Sequence, residues 1–385
     1  MLERIKPNPG LVKSILDQIP NEVWASDTTT FLDPAFGGGQ FISEIEKRLS
    51  QQGHTKENIA KRVFGYEKKQ FLVDLVYNMH GLVGNYSKVP YVEYLKHQED
   101  QFDVVVTAPP FEDNGTNKKG NLWSRFIVAV DSSTKANGYL SLVTPPSWMS
   151  GTDDNGNAKK KQIQDIFTKN TILFLNLDTK EFFPGVGSHF SSYVIRKGDH
   201  DNLTKVISNG VESNLDLKGF EALPRDLNSI SYSIVKKFLG HPHKKPFTAS
   251  GCVGHPKAEG VEQFKIHNTG VSFGSSSVEP NNAKERKVVV SVPGYLNGKY
   301  DDGLYGCSVN SLWTSVADEQ EAQGILEGLE CDLVKFIFRE CKYSGFNNGF
   351  ILKRYPDIRT GVNEVVFRNF GLSEQEISYI LEKNG

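Results

Sequence analysis

Phe31-Leu32-Asp33-Pro34-Ala35-Phe36-Gly37-Gly38-Gly39-Gln40-Phe41 is the stretch whose reading decides the fold. A short apolar run ends in an acid, a glycine turn follows, and apolar residues then recur at Ile42, Ile45 and Leu49. That spacing is helical, so the stretch predicts strand, turn, helix. Glycines at such a turn let the backbone approach a ligand closely at a helix N-terminus. A dinucleotide-binding loop would read Gly-x-Gly-x-x-Gly. Here the pattern is Asp-Pro-x-x-Gly-x-Gly-x-Phe, carried by Asp33, Pro34, Gly37, Gly39 and Phe41. Three adjacent glycines alone could form a plain flexible loop; the Asp-Pro before them and the Phe after them favour a ligand loop.

Working outward, Val63 to Glu67 reads as a second strand ending in an acid. A carboxylate at that strand end can accept hydrogen bonds from ribose hydroxyls. A lone glutamate is ordinarily a solvated surface residue, but this one follows the glycine turn by one helix and one strand. Lys68 to Met79 then predicts a second helix. Phe102 to Thr107 is a valine-rich run suited to a buried parallel strand. It opens into Ala108-Pro109-Pro110-Phe111, where two prolines must stop the sheet ladder. Ligands of open α/β sheets bind outside the carboxyl ends of the strands, which is where this loop falls. Phe111 offers a flat face for stacking a base; the plainer reading is a rigid turn with a packed aromatic.

Together these motifs resemble the gamma-class DNA adenine-N6 methyltransferases of phages and restriction–modification systems. The glycine turn is similar to their S-adenosylmethionine motif, and Ala108 to Phe111 resembles their Asn-Pro-Pro-Phe/Tyr motif, with alanine where asparagine belongs. Tyr91-Val92-Glu93-Tyr94-Leu95 resembles the family segment that contacts the cofactor's adenine. Lys6-Pro7-Asn8-Pro9 resembles a helix start near the cofactor's methionine end, with Asn8 in place of threonine. Gly138 to Trp148 resembles the strand and proline loop that follow. Phe182-Phe183-Pro184 resembles a segment whose aromatic, here Phe183, stacks on a flipped base. The resemblance covers about the first 200 residues. It implies an α/β fold, with a Rossmann-like S-adenosylmethionine methyltransferase sheet in residues 1–198. A C-terminal mixed α+β target-recognition domain would occupy residues 199–385.

The implied chemistry is methyl transfer to the N6 amine of an adenine extruded from double-stranded DNA. Leaving the stack costs a few kcal/mol. In the family, a side-chain amide oxygen and the first proline's carbonyl each accept one N6 hydrogen. That draws the nitrogen toward tetrahedral geometry and frees its lone pair to attack the cofactor's methyl. No metal is required. Pro109 keeps its carbonyl; Ala108 has no side-chain acceptor. Losing one such acceptor typically costs about 10²–10³ in rate, so this copy is expected to be catalytically disabled. An asparagine removed by design, a natural non-catalytic homologue and an enzyme with another acceptor are three readings of that alanine. Two further alternatives are a non-catalytic DNA-binding partner of a methyltransferase and an RNA adenine-N6 methyltransferase. The long C-terminal region favours DNA over RNA.

The net charge of −2 and pI near 6.5 give no global pull toward nucleic acid, so any grip on DNA must come from local patches. Candidates are Lys118-Lys119, Lys159-Lys160-Lys161 and His241-Pro242-His243-Lys244-Lys245. Asn114-Gly115, with Asn117 and Gly120, marks a loop beside the active site that could act as a lid. The four cysteines, 252, 307, 331 and 341, lack metal-ligand spacing and read as free thiols of a reducing compartment. No charged-then-apolar leader and no membrane-length apolar run is seen, which points to a cytoplasmic protein. The oligomeric state is left open.

A domain boundary is expected near Lys197 to Asp201, a polar turn cluster. Beyond it, Lys287 to Pro293 predicts a strand followed by a hairpin-like Asn297-Gly298, and Glu319 to Tyr343 predicts one helix. Ser373 with Glu376 predicts a capping box on a last helix.

Overall fold

The computed structural model describes residues 8–78, 80–94, 101–110, 122–152, 158–183, 189–254 and 264–385. Phe111, Pro7, Leu95, Pro184 and the loop 114–120 with Lys118 and Lys119 lie outside the described residues. The chain divides into two compact units, Met1–Trp148 with Asp154–Phe220, and Met149–Asp153 with Glu221–Gly385. Among the described residues, no helix is long and apolar enough to cross a membrane.

The first unit is built on one nine-stranded sheet. Its strands are β1 (Phe31–Asp33), β2 (Val63–Glu67), β3 (Asn85–Lys88), β4 (Phe102–Thr107), β5 (Thr134–Thr144), β6 (Thr171–Asn176), β7 (Ser191–Arg196), β8 (Thr204–Ser208) and β9 (Val211–Leu215). They lie in the order β3-β2-β1-β4-β5-β7-β6-β8-β9. β1 pairs in parallel with both β2 and β4, and β7 runs antiparallel between β5 and β6. The strand order therefore reverses between β1 and β4. At such a switch point the connections leave in opposite directions and open a crevice at the strands' carboxyl ends. All three residues of β1 are buried, and so is nearly all of β4, as valine-rich central strands require. The predicted helix after the glycine turn is Gln40–Gln51, burying Phe41, Ile42, Ile45 and Leu49. The helix after Glu67 is Gln70–Asn78.

The first unit extends beyond residue 198, where the polar turn cluster suggested a boundary. β8 pairs with β6 and carries β9 through the two-residue turn Asn209-Gly210. Both turn residues have positive φ, 51° and 74°, which matches the twist of a tight hairpin. Asp178 accepts from both turn N–H groups, at 2.8 and 2.7 Å.

The second unit holds two three-stranded sheets. One joins β10 (Phe264–His267), β11 (Phe273–Ser276) and β14 (Gly306–Cys307). The other joins β12 (Arg286–Ser291), β13 (Gly298–Asp302) and β15 (Ser311–Ser315). Helices complete it around a core that includes Phe238, Val288, Leu333, Phe336 and Tyr355. The expected helix over 319–343 is two helices, Glu319–Leu329 and Asp332–Glu340. A Cβ on Gly324 or Gly328 would meet the Arg359 or Ile358 carbonyl at 2.8 or 2.6 Å, so the backbone passes there at glycine distance. Asn363 then receives the N–H of Asp332 and starts the second helix afresh. The capping box forms as expected, Ser373 and Glu376 exchanging bonds at the start of Glu374–Asn384.

Candidate active site

The carboxyl ends of β1, β2 and β4 meet at the switch point and gather most of the residues singled out above. Asp33 ends β1, and its Oδ1 accepts from the Ala35 N–H at 3.0 Å. Gly37 and Gly39 then turn the chain with φ of 58° and 86°. A Cβ on Gly39 would also lie 2.7 Å from Val76 Cγ1, so the position admits only glycine on two counts. Phe41, in the first turn of the helix, belongs to the core beneath.

Glu67 ends β2 and is fully buried. Its Oε2 accepts from Gly37 N–H at 3.2 Å and its Oε1 from Lys69 N–H at 3.1 Å. The carboxylate thus holds the glycine turn in shape from below. A ribose at this strand end would compete with these N–H groups for the carboxylate.

Asp33 is almost fully buried, and this desolvation pushes its carboxyl up to about 7. The Ala35 N–H and the nearby Thr107 hydroxyl oppose the rise, and the neighbouring Glu67 charge adds to it. Thr107, the last residue of β4, is itself buried, and its hydroxyl makes no well-formed hydrogen bond among the described residues. It leans on Asp33 without fully satisfying either group. Asp33 and Glu67 thus place two buried carboxylates close together at the glycine turn.

β4 delivers Ala108, half-buried, then Pro109, buried, and Pro110, half-buried. Ala108 and Phe182 both pack against the first unit's core cluster. Phe183, expected to stack on a base, is only 4% exposed and packs against Phe190 at 4.8 Å between ring centroids. Its face is occupied by the core, and the half-buried ring of this pair is Phe182.

Tyr94 departs from expectation in the same way. It lies on the short helix Tyr91–Tyr94, its ring is buried between Tyr66 and Phe126, and its hydroxyl meets Ser133 Oγ at 2.9 Å. It supports the floor near Asp33. Glu93, on the same helix, is exposed. Asn8 caps the helix Pro9–Leu16, its Oδ1 accepting from Gly10 N–H at 2.8 Å.

The expected basic patch at 241–245 is consumed structurally. Lys245 pairs with Glu321 at 2.7 Å, and Lys244 donates to the Leu239 carbonyl at the end of the helix Ser229–Gly240. Nothing in the sequence marked Thr107; it became visible only when β1 and β4 were seen side by side.

Residues 40–179 match the Eco57I restriction-modification methylase family. That match spans less than half of the chain, whose nine-stranded sheet is mostly parallel and Rossmann-like. Among solved structures, it is similar to a Vibrio vulnificus protein assigned as the modification subunit of a type I restriction enzyme (19% identity, TM-score 0.41, 57% of this chain and 50% of that one). A type I restriction-modification methyltransferase subunit from Streptococcus thermophilus is 16% identical (TM-score 0.38, 55% and 49%). The type IIG restriction endonuclease BpuSI is 11% identical (TM-score 0.41, 87% and 56%). This chain spans about half the length of these three proteins. Among curated proteins, none matches.

Proposed function

We propose that the first unit binds S-adenosylmethionine at the ends of β1 and β2, and that the loop after β4 receives the exocyclic amine of a DNA adenine. One observation carries this reading. Asp33 and Glu67, both buried, bracket a glycine turn one strand from Ala108-Pro109. The residues fit such a cofactor: Asp33, Gly37, Gly39 and Glu67 would hold it, and two neighbouring buried acids suit its cationic sulfonium. When bound, it supplies an activated methyl group. Pro109 contributes one carbonyl acceptor for an N6 hydrogen, and the half-buried Phe182, rather than the core-packed Phe183, an aromatic face for the extruded base. Ala108 contributes no second acceptor, so we read this copy as a cofactor- and DNA-binding protein with little or no turnover. The second unit is the proposed target-recognition part.

Two measurements test this. Calorimetry of the full chain with S-adenosylmethionine should give saturable one-site binding that Glu67→Ala weakens; heat-free titration at millimolar cofactor would refute the cofactor site. Tritium transfer from labelled cofactor to mixed duplex DNA should rise about 10²–10³-fold in Ala108→Asn. An unchanged rate would remove Ala108 as the cause of inactivity, and transfer to RNA alone would favour the RNA enzyme.

A further inference from the structure

We infer that the loops around the carboxyl end of β12 form the face by which the second unit grips nucleic acid. The inference rests on the DNA reading above and assigns it a surface. Three loops are tied together at Ser291, the last residue of β12. Ser291 Oγ accepts from Gly270 N–H at 2.8 Å, and its N–H donates to the Asn297 carbonyl at 3.0 Å. Its own carbonyl accepts from Asn347 Nδ2 at 2.9 Å. The neighbouring Val292 N–H donates to the Asn310 carbonyl, and Pro293 bridges to Phe346.

From this knot the loops project apolar side chains into solvent. Tyr295 is 84% exposed, Val271 69% and Phe346 56%. Such residues cost apolar hydration in a monomer, and a group of them marks an interaction site. The charge pattern selects the partner. The chain has 46 acids among 385 residues, yet 264–278, 286–300, 303–317 and 341–356 contain no Asp or Glu. These segments, which build the face, carry Lys265, Lys299 and Lys342. Lys342 lies over the Tyr295 ring at 5.7 Å, and Lys265 and Lys299 lie over Phe273 at 4.4 and 5.0 Å. Acid-free segments that couple lysines to exposed aromatics meet the two demands of nucleic acid, a polyanionic backbone and flat bases. An acidic protein would satisfy the charge but has no need of a ring held out at Tyr295.

The test uses the full chain and a fluorescent 30-base-pair mixed duplex, followed by anisotropy across a salt series. Tyr295→Ala and the double variant Lys299→Ala/Lys342→Ala should each weaken binding about tenfold. The double variant should also flatten the salt dependence by about two lysines' worth. Lys335→Ala, an exposed lysine on the helix Asp332–Glu340, should leave both unchanged, and so should S-adenosylmethionine affinity in every variant. Wild-type binding with unaltered variants overturns this face while leaving the DNA reading intact. Cofactor binding without any DNA binding by the wild type overturns both. If Tyr295→Ala instead changes the sedimentation of the protein and not its DNA affinity, the face joins copies of this chain and the inference fails.

Discussion

The two units each bury a carboxylate in the core end of a sheet, and they treat it in opposite ways. In the second unit, Asp301 lies directly across from Lys287 in the β12–β13 register. Its Oδ1 meets Lys287 Nζ at 3.2 Å and accepts from Gly303 and Leu304 N–H groups, while Oδ2 meets His267 Nε2 at 2.7 Å. Burial alone would raise this carboxyl, but the His267 bond and the Lys287 charge hold it down at about 2. In the first unit, Asp33 has one backbone donor, a loosely placed threonine and a second acid for company, and stands near 7. Asp301 is a finished structural pair. Among the described residues, Asp33 has no such cation to balance it.

Breaking the finished site should have the larger effect. Asp301→Ala strands Lys287, which has no solvent exposure, and should destabilise the second unit by about 3–5 kcal/mol in urea unfolding. The charged pair's contribution is present above about pH 4, the range of an unfolded aspartate, and fades as pH falls through 2. A loss under 1 kcal/mol would show the pair to be dispensable.

Asp33 carries the opposite sign. Its folded value exceeds its unfolded one, so the folded state holds a proton that the unfolded state has released between about pH 4 and 7. Stability should therefore fall with rising pH across that window, by roughly 2–3 kcal/mol between pH 5 and pH 8. Asp33→Asn keeps an oxygen for the Ala35 N–H and should flatten this dependence, as thermal melts at the two pH values would record. A parallel slope in both proteins would contradict the assignment. Saturating S-adenosylmethionine should flatten the wild-type slope as well.

The smallest effect sharpens the contrast. Thr107→Val preserves shape and removes a buried hydroxyl that lacks a full partner, so stability should move by less than about 1 kcal/mol. The midpoint of the Asp33 pH dependence should move upward, because one group favouring its charge is gone. A downward shift would mean that the hydroxyl does not face the carboxylate.

Much of the first unit was legible because its signals are local. An acid, three glycines and a helical repeat lie within one contiguous stretch, and the proline pair ends β4 on chemistry alone. The capping box at Ser373 is equally local. What escaped was which way a ring faces: Phe183 and Tyr94 are aromatic beside a site, but composition does not distinguish a floor from a wall. The addition of β8 and β9 to the sheet also escaped, since a polar turn between strands looks the same whether the next strand joins or leaves. Lys287 and Asp301 are distant in sequence until the antiparallel register aligns them. For the same reason, basic runs such as Lys244-Lys245 overstated the free positive charge, while the acid-free segments of the second unit, a pattern of absence, went unread.

The β8–β9 hairpin has a consequence for how the protein behaves at high concentration. An open sheet ends in two bare backbone edges, each a template for adding a foreign strand. Here the outer strands are β3, Asn85-Tyr86-Ser87-Lys88, and β9, Val211-Glu212-Ser213-Asn214-Leu215. Both are short and mostly polar, and the longer apolar strands β5, β6 and β7 lie inside. The hairpin thus insulates an aggregation-prone interior, so its removal should cost solubility.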